Sequence, residues 1–576
     1  MANITAPEYI SPYVVTTSGG LVLDRDVYTM PVGAASILQN FEPSVRGGYR
    51  RLSGTSRFSS SQVGGSSSTI LGVAVFNNGV IAAQSTNVYF GTGSSWTSID
   101  SGRTSAGRYR FEKYNFSTNE ERLIFADGAN FASVYNGTTV MDIKGATTIS
   151  TTGSASNSST SLSVSSAAGI IEGMYIGGTN IGSGAKVSSL SGTTVTMSVA
   201  TTGTISSGSV TFAGLGTAPS DPSMVTAFKN HMFYAGMSEE PNTIVFSAIG
   251  DENDFTPSNG AGSLNVDSTI IALKSFRGEL IIFCEDRIYK LAGNALADFA
   301  IAPISRNVGC SDAFSIQEIG GDVIFLAPDG LRTIAGTARI GDVELGTVSK
   351  QIQARISDIG FTNISSVVIR DKSQYRLFYP SGGLESAEKG IIGVLKSNPS
   401  GQIGWEYSDI RGIKPSCCDS GFISGVEKVI HGGFDGYVYL QESGNTFNGT
   451  AMKAIYRSPD LTIGDAGIRK IMQRINVNYD PEGSVNASLF VKYDFEDAGT
   501  PQPSAYTLST ADTAAVYDNA GTLYDSAVYD AEGMPIVRQS VEGSGFTVVI
   551  RLEDESSNPP ITLKGFELEF TPGARM

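Results

Sequence analysis

Only 4 cysteines, 2 histidines and 2 tryptophans occur in 576 residues, and each scarcity excludes something. The thiols Cys284, Cys310, Cys417 and Cys418 cannot staple a chain of this length, and an adjacent pair such as Cys417-Cys418 rarely bridges, so reduced and mostly buried thiols are expected. His231 and His431 stand in no spacing that offers a metal site or a Ser/His/Asp relay, which leaves them structural. No run of about 18 apolar residues exists. The start Met1-Ala2-Asn3-Ile4-Thr5-Ala6-Pro7 has no basic stretch followed by an apolar one, so assembly in a cytoplasm without membrane insertion is expected. P-loop, HExxH, GxSxG and paired CxxC patterns are all missing, and Gly260-Ala261-Gly262 lacks the flanking strand and helix of a phosphate cradle. No catalytic residue, metal ligand or cofactor site is assigned.

Positive charge is also short: 40 Lys and Arg against 56 Asp and Glu give a formal charge of −16. A surface that grips nucleic acid is normally basic, so sequence-specific DNA binding is not expected, although DNA can pass nearby without adsorbing. Acidic pairs such as Glu567 and Glu569, or Asp251, Glu252 and Asp254, are the raw material of glycoside hydrolysis. Their contexts read otherwise. Glu567 and Glu569 alternate with Phe566, Leu568 and Phe570 along a strand, and the Asp251 group precedes Phe255-Thr256-Pro257 as turn chemistry. Tyr-Asp recurs at Tyr517-Asp518, Tyr524-Asp525 and Tyr529-Asp530, which suits a cation, a neighbour or a hairpin turn equally.

What is plentiful is glycine, with 67 residues, and short apolar runs that Gly, Asn or Asp close. Leu71-Gly72-Val73-Ala74-Val75-Phe76, Leu280-Ile281-Ile282-Phe283 and Val323-Ile324-Phe325-Leu326 read as strands. One helix is predicted from Ser349 to Gly360, where Val348, Ile352 and Ile356 share a face, Ser349 caps and Gly360 terminates. A strand, turn, strand unit recurs through Val80, Leu123, Met232, Leu280, Val323, Tyr375 and Val429, at intervals of 43, 109, 48, 43, 52 and 54 residues. Removing the 67 residues 147–213 reduces the outlier from 109 to 42. A period of about 40 to 50 residues in an all-β chain is the signature of propeller blades.

The fold predicted is therefore all-β: a β-propeller of about seven blades, with six to eight as the range, over residues 69–146 and 214–446. The Ser/Thr/Gly-rich segment 147–213 forms a small inserted β-domain in a blade loop, where insertion is best tolerated. Residues 447–576, with longer alternating strands such as Ile475-Asn476-Val477-Asn478-Tyr479, form a C-terminal β-sandwich-like domain. Residues 1–68 are expected to dock on that domain or on a neighbouring subunit.

Three stretches carry a resemblance: Asn40-Phe41-Glu42-Pro43 with Gly47-Gly48-Tyr49-Arg50-Arg51-Leu52-Ser53-Gly54-Thr55; Tyr456-Arg457-Ser458-Pro459-Asp460 with Gly464-Asp465 and Arg469-Lys470; and Lys564-Gly565-Phe566-Glu567-Leu568-Glu569-Phe570. In this order, together with Asn307-Val308-Gly309-Cys310 and Phe325-Leu326-Ala327-Pro328-Asp329-Gly330, they resemble the tail-nozzle (tail-tube) proteins of short-tailed bacteriophages. The resemblance implies a homohexameric ring below the portal and adaptor in the virion tail, with adaptor and tail fibre or spike as partners. It also implies genomic DNA retained by the ring and passing through its lumen at ejection. Arg46, Arg50, Arg51, Arg457, Asp460, Asp465, Arg469 and Lys470 are the candidate contacts to a subunit or adaptor, since basic groups in an acidic chain pair with carboxylates across an interface. The alternative is a receptor-binding or glycan-cleaving tail protein, disfavoured because only Trp96 and Trp405 could supply large indole platforms for sugar.

Overall fold

A computed structural model of the chain describes residues 12–105, 107–116, 120–335, 347–360, 363–380, 388–397, 403–510 and 536–575. The repeated Tyr-Asp pairs at 517–530 lie outside the described residues.

Seven antiparallel sheets follow one another along the chain as blades. Blade 1 spans 70–100, blade 2 110–142, blade 3 224–265, blade 4 270–305, blade 5 317–333, blade 6 365–411 and blade 7 417–441. The innermost strand of blade 7, Cys417–Ile423, packs against that of blade 1, Ile70–Phe76, and closes the ring. The reason these strands read as unbroken apolar runs is that each blade is buried on both faces. Along Glu279–Cys284, Leu280, Ile282 and Cys284 enter the core shared with blade 3, whereas Ile281 and Phe283 enter the core shared with blade 5. Blade 1 divides the same way, with Val80 and Ala82 facing blade 7 and Ile81 and Ala83 facing blade 2.

The turn between the first two strands of a blade is a two-residue hairpin in five cases: Asn77-Asn78, Lys229-Asn230, Arg277-Gly278, Gly320-Gly321 and Ser424-Gly425. All ten residues have positive φ, the backbone that matches the right-handed strand twist and favours Asn and Gly.

The segment 147–213 leaves the connection between blades 2 and 3, through the paired Gly145–Ala146 and Gly216–Thr217. It forms its own six-stranded sheet around Leu162, Met174, Val195, Val210 and Phe212.

The C-terminal domain is a sandwich whose two sheets share one core, from Tyr456, Leu489 and Ile550 on one side to Ile475, Leu563 and Phe566 on the other. Ile37–Gln39 is inserted between blade 6 and this domain: it pairs antiparallel with Ile455–Arg457 and bridges in parallel to Asp409. Blade 6 and half of the sandwich therefore form one nine-stranded sheet. The N-terminal segment continues into Phe41–Pro43 and Tyr49–Arg51, the latter paired with Leu563 and Thr562. It ends in Thr55–Arg57, the outermost strand of blade 7.

The predicted helix is shorter than expected. Lys350–Ile352 is a 3-10 turn and Gln353–Ile356 a single α turn, because Ile352 (φ −120°) interrupts the helical backbone. Ser349 does not cap it; its hydroxyl accepts from the Leu331 N–H. The apolar face is as expected, with Ile352 and Ile356 buried and Val348 packed beside them.

Candidate functional site

Two places concentrate buried charge. The first is the junction where the three resembling stretches, remote in sequence, meet. Tyr49 and Tyr456 lie 5.7 Å apart, and Tyr456 stacks on Phe566 at 5.7 Å. Glu42 is the hub. Its Oε1 accepts from Lys372 (2.7 Å) and Arg50 (3.3 Å), and its Oε2 accepts from Gln374 (3.0 Å) and Arg376 (3.2 Å). Arg376, 1% exposed, also donates to Gln374 Oε1 (2.6 Å), Gln441 Oε1 (2.9 Å) and Glu442. Burial pushes the Glu442 carboxyl up, but Arg376 and Lys372 outweigh it and hold it at about 2. A buried guanidinium is tolerated when its fork is matched in this way.

The candidate contact residues divide by exposure. Arg46 (at the tip of the Ser44–Gly48 turn), Asp465 and Arg469 are exposed. Arg50 is half-buried and grips Glu482 with two bonds of 2.6 and 2.7 Å. Arg457, half-buried, meets Glu496 at 3.0 Å and Asp460 at 3.6 Å. Arg51, Asp460 and Lys470 are buried inside the chain, which corrects the expectation that they face a partner. Arg51 meets Asp554 at 3.5 Å and donates to the carbonyls of Asn558 (2.7 Å) and Ser556, while Lys470 donates to Asp465 O and Phe546 O at 2.6 and 3.0 Å. Short-range pairing inside the subunit was the stronger use of these cations.

The second place is the propeller axis, a cavity of about 430 Å³ lined by the innermost strands. Its charged lining is Arg108, Arg110, Lys113, Lys274 and Arg370 against Glu112 and Asp419, so an acidic chain keeps a cationic axis. Burial also pushes the carboxyls of Glu112, Asp419 and the adjacent Asp312 up, toward their neutral forms. The guanidinium carbons of Arg108 and Arg110 sit 3.6 and 4.0 Å from the Phe314 ring centroid. Arg108 Nε and Nη2 and Arg110 Nη2 are buried with no hydrogen-bond acceptor, a condition that costs about 1–3 kcal/mol per group. Burial lowers Arg110 to about 10, more than Asp312 restores. Nothing in the sequence reading singled out these arginines, although the alternation Arg108-Tyr109-Arg110-Phe111 at the start of an innermost strand carried the signal.

A cavity of about 420 Å³ between the insert and blades 2 and 3 is different, because its charges pair: Lys186 with Asp251 at 3.3 Å and Arg122 with Glu252 at 2.8 Å. Asp254 accepts from the Thr256 N–H and Asn259, as turn chemistry requires. Glu567 and Glu569 are half-buried and accept from Asn476 at 3.2 and 3.4 Å. His231 Nδ1 lies 2.6 Å from Ser247 O among Phe233, Phe246 and Phe299, and buried His431 stacks on Tyr439 at 5.1 Å. All four cysteines are free thiols, three of them buried. Among the described residues no group of three His, Cys, Asp or Glu is placed to hold a metal.

No protein-family model and no curated protein matches the sequence. Among solved structures, the chain is similar to Saccharomyces cerevisiae Sqt1 (12% identity, TM-score 0.32, covering 67% of this chain and 98% of that one). It is also similar to the computationally designed Ika8 protein (13%, TM-score 0.31, 66% and 98%) and to an ancestral GH74 enzyme (10%, TM-score 0.29, 74% and 51%). At such scores the propeller rests on its own sheet order and ring closure, and no activity is carried over.

Proposed function

We propose that the chain is a non-enzymatic structural subunit of a tail-nozzle ring of a short-tailed phage, located in the virion tail below the portal and adaptor. The observation that carries this reading is the junction: the three stretches that resemble the nozzle family are the ones that join propeller, N-terminal segment and sandwich through a shared core and the Glu42 hub. A subunit that holds back packaged DNA must transmit load between its parts. A sheet that runs without a break from blade 6 into the sandwich suits that task.

The propeller's axial cavity has the volume of a small-molecule site, so a duplex conduit has to form between subunits. One chain repeated by heterologous contacts closes such a ring. Six copies at −16 carry −96 in formal charge, and an acidic lumen repels phosphate, so DNA slides without adsorbing. Arg46, Asp465 and Arg469, which are exposed, are the candidate contacts to a subunit or adaptor.

The test is to assemble phage particles with this gene deleted. Heads that carry portal and adaptor but lose their DNA are expected. Full, stable particles that fail only to adsorb to cells would instead favour a receptor-binding or glycan-cleaving role.

A further inference from the structure

The charges of the propeller axis have no use in a conduit formed between subunits. At the junction and in the insert cavity Arg51 Nε and Arg122 Nε also lack a hydrogen bond, but each buried cation there has a carboxylate or a set of carbonyls. On the axis, Arg108 has one acceptor, the carbonyl of Ile364, and two further buried N–H positions with none; Arg110 Nη2 has none either. Neither makes an ion pair among the described residues. Asp312, the carboxylate whose field reaches both, accepts from the Phe314 N–H at 2.7 Å. Both guanidiniums make a cation–π contact with the Phe314 ring, which offers them no hydrogen-bond acceptor.

We propose that the axial cavity is an anion site in which Arg108 and Arg110 together hold one phosphate-class oxyanion. Several features select this ligand. Guanidinium edges present paired donors that match the oxygens of a tetrahedral oxyanion, whereas a halide offers one acceptor point. The excess of cations in the lining favours a dianion over a carboxylate. The cavity, at about 430 Å³, exceeds what inorganic phosphate needs, so a phosphomonoester also fits. Phosphate is the chemistry the two share.

The experiment is calorimetric titration of the full chain with inorganic phosphate, sulfate, acetate and a sugar phosphomonoester at matched ionic strength, with thermal midpoints recorded in parallel. Saturable binding of phosphate at one per chain is expected, with acetate at least tenfold weaker. Arg110→Gln keeps a planar group on Phe314 and is expected to weaken phosphate at least tenfold, with Arg110→Lys intermediate. Lys144→Gln, an exposed cation that pairs with Asp142 at 2.7 Å, is expected to behave as the parent. If only the phosphomonoester saturates, the site takes the ester and not the free ion, and the proposal stands for that source. No saturable response to any of the four, or an Arg110→Gln variant that binds as the parent does, overturns it. Should Arg110→Gln not fold, Arg108→Gln and Arg110→Lys carry the same comparison.

Discussion

The junction and the axis both take arginine out of water, and they do so in opposite ways. Arg376 is surrounded by Glu42, Glu442, Gln374 and Gln441, so its charge and its donors are used where they stand. Arg110 has an aromatic ring, a like-charged neighbour and an empty acceptor position. The difference separates two reasons for burying a cation. One holds parts of a chain together, and the other keeps a place for something the chain does not itself contain.

Mutation breaks this comparison most directly. Arg376→Ala removes the buried guanidinium that Glu42 and Glu442 share, leaves Gln374 and Gln441 without their donor, and is expected to cost about 3–5 kcal/mol in urea unfolding. Arg110→Gln in phosphate-free buffer is expected to change stability by less than about 1 kcal/mol, because it removes a charge that had no carboxylate partner. Equal losses at the two sites would erase the distinction.

Acid sharpens it next. Burial drops His431 to about 3, so between about pH 6.5 and 3 the unfolded chain takes up a proton that the folded chain does not. Stability falls with pH across that window at up to ~1.4 kcal/mol per unit. Glu442, held at about 2, adds a loss of the same sign below the ordinary carboxylate range, because again the unfolded chain protonates first. His431→Phe, which retains the stack on Tyr439, is expected to flatten the pH 6.5 to 4.5 part of the profile in thermal unfolding; an unchanged slope there would contradict the assignment.

A smaller effect is expected at the blade hairpins. Asn78 has φ 56° and its Oδ1 accepts from the Ser424 N–H at 2.9 Å, which ties blade 1 to blade 7. Asn78→Ala is expected to lose about 1 kcal/mol, and Asn78→Gly less, since glycine keeps the backbone while losing the bond. The smallest effect is expected from the insert, whose core is its own: excising 147–215 and joining Ala146 to Gly216 is expected to leave cooperative unfolding of the propeller within a few degrees. Loss of folding on excision would show that the Lys186–Asp251 pair reports a shared unit.

The blades were legible because strands buried on both faces must be continuously apolar and because their first hairpins admit few residue types. The insert was legible because it interrupts that period with Ser, Thr and Gly. What did not show was long-range. Thr55–Arg57 is three polar residues whose partner, Val438–Gln441, lies almost 400 positions away, so no local pattern marks it as the strand that completes blade 7. Arg51 and Lys470 looked like surface cations because sequence shows the charge and not the carbonyls of Asn558 and Phe546 that receive it. The helix came out short because Ile352, at φ −120°, interrupts the helical backbone, which apolar periodicity does not reveal.

The central claim is tested most directly by native mass measurement and negative-stain imaging of the purified chain mixed with portal and adaptor complexes. A six-fold ring of this chain seated on the adaptor is expected, with seven-bladed propellers arrayed around an open lumen. A chain that stays monomeric or trimeric, ignores the adaptor and binds or cleaves host glycan would contradict it.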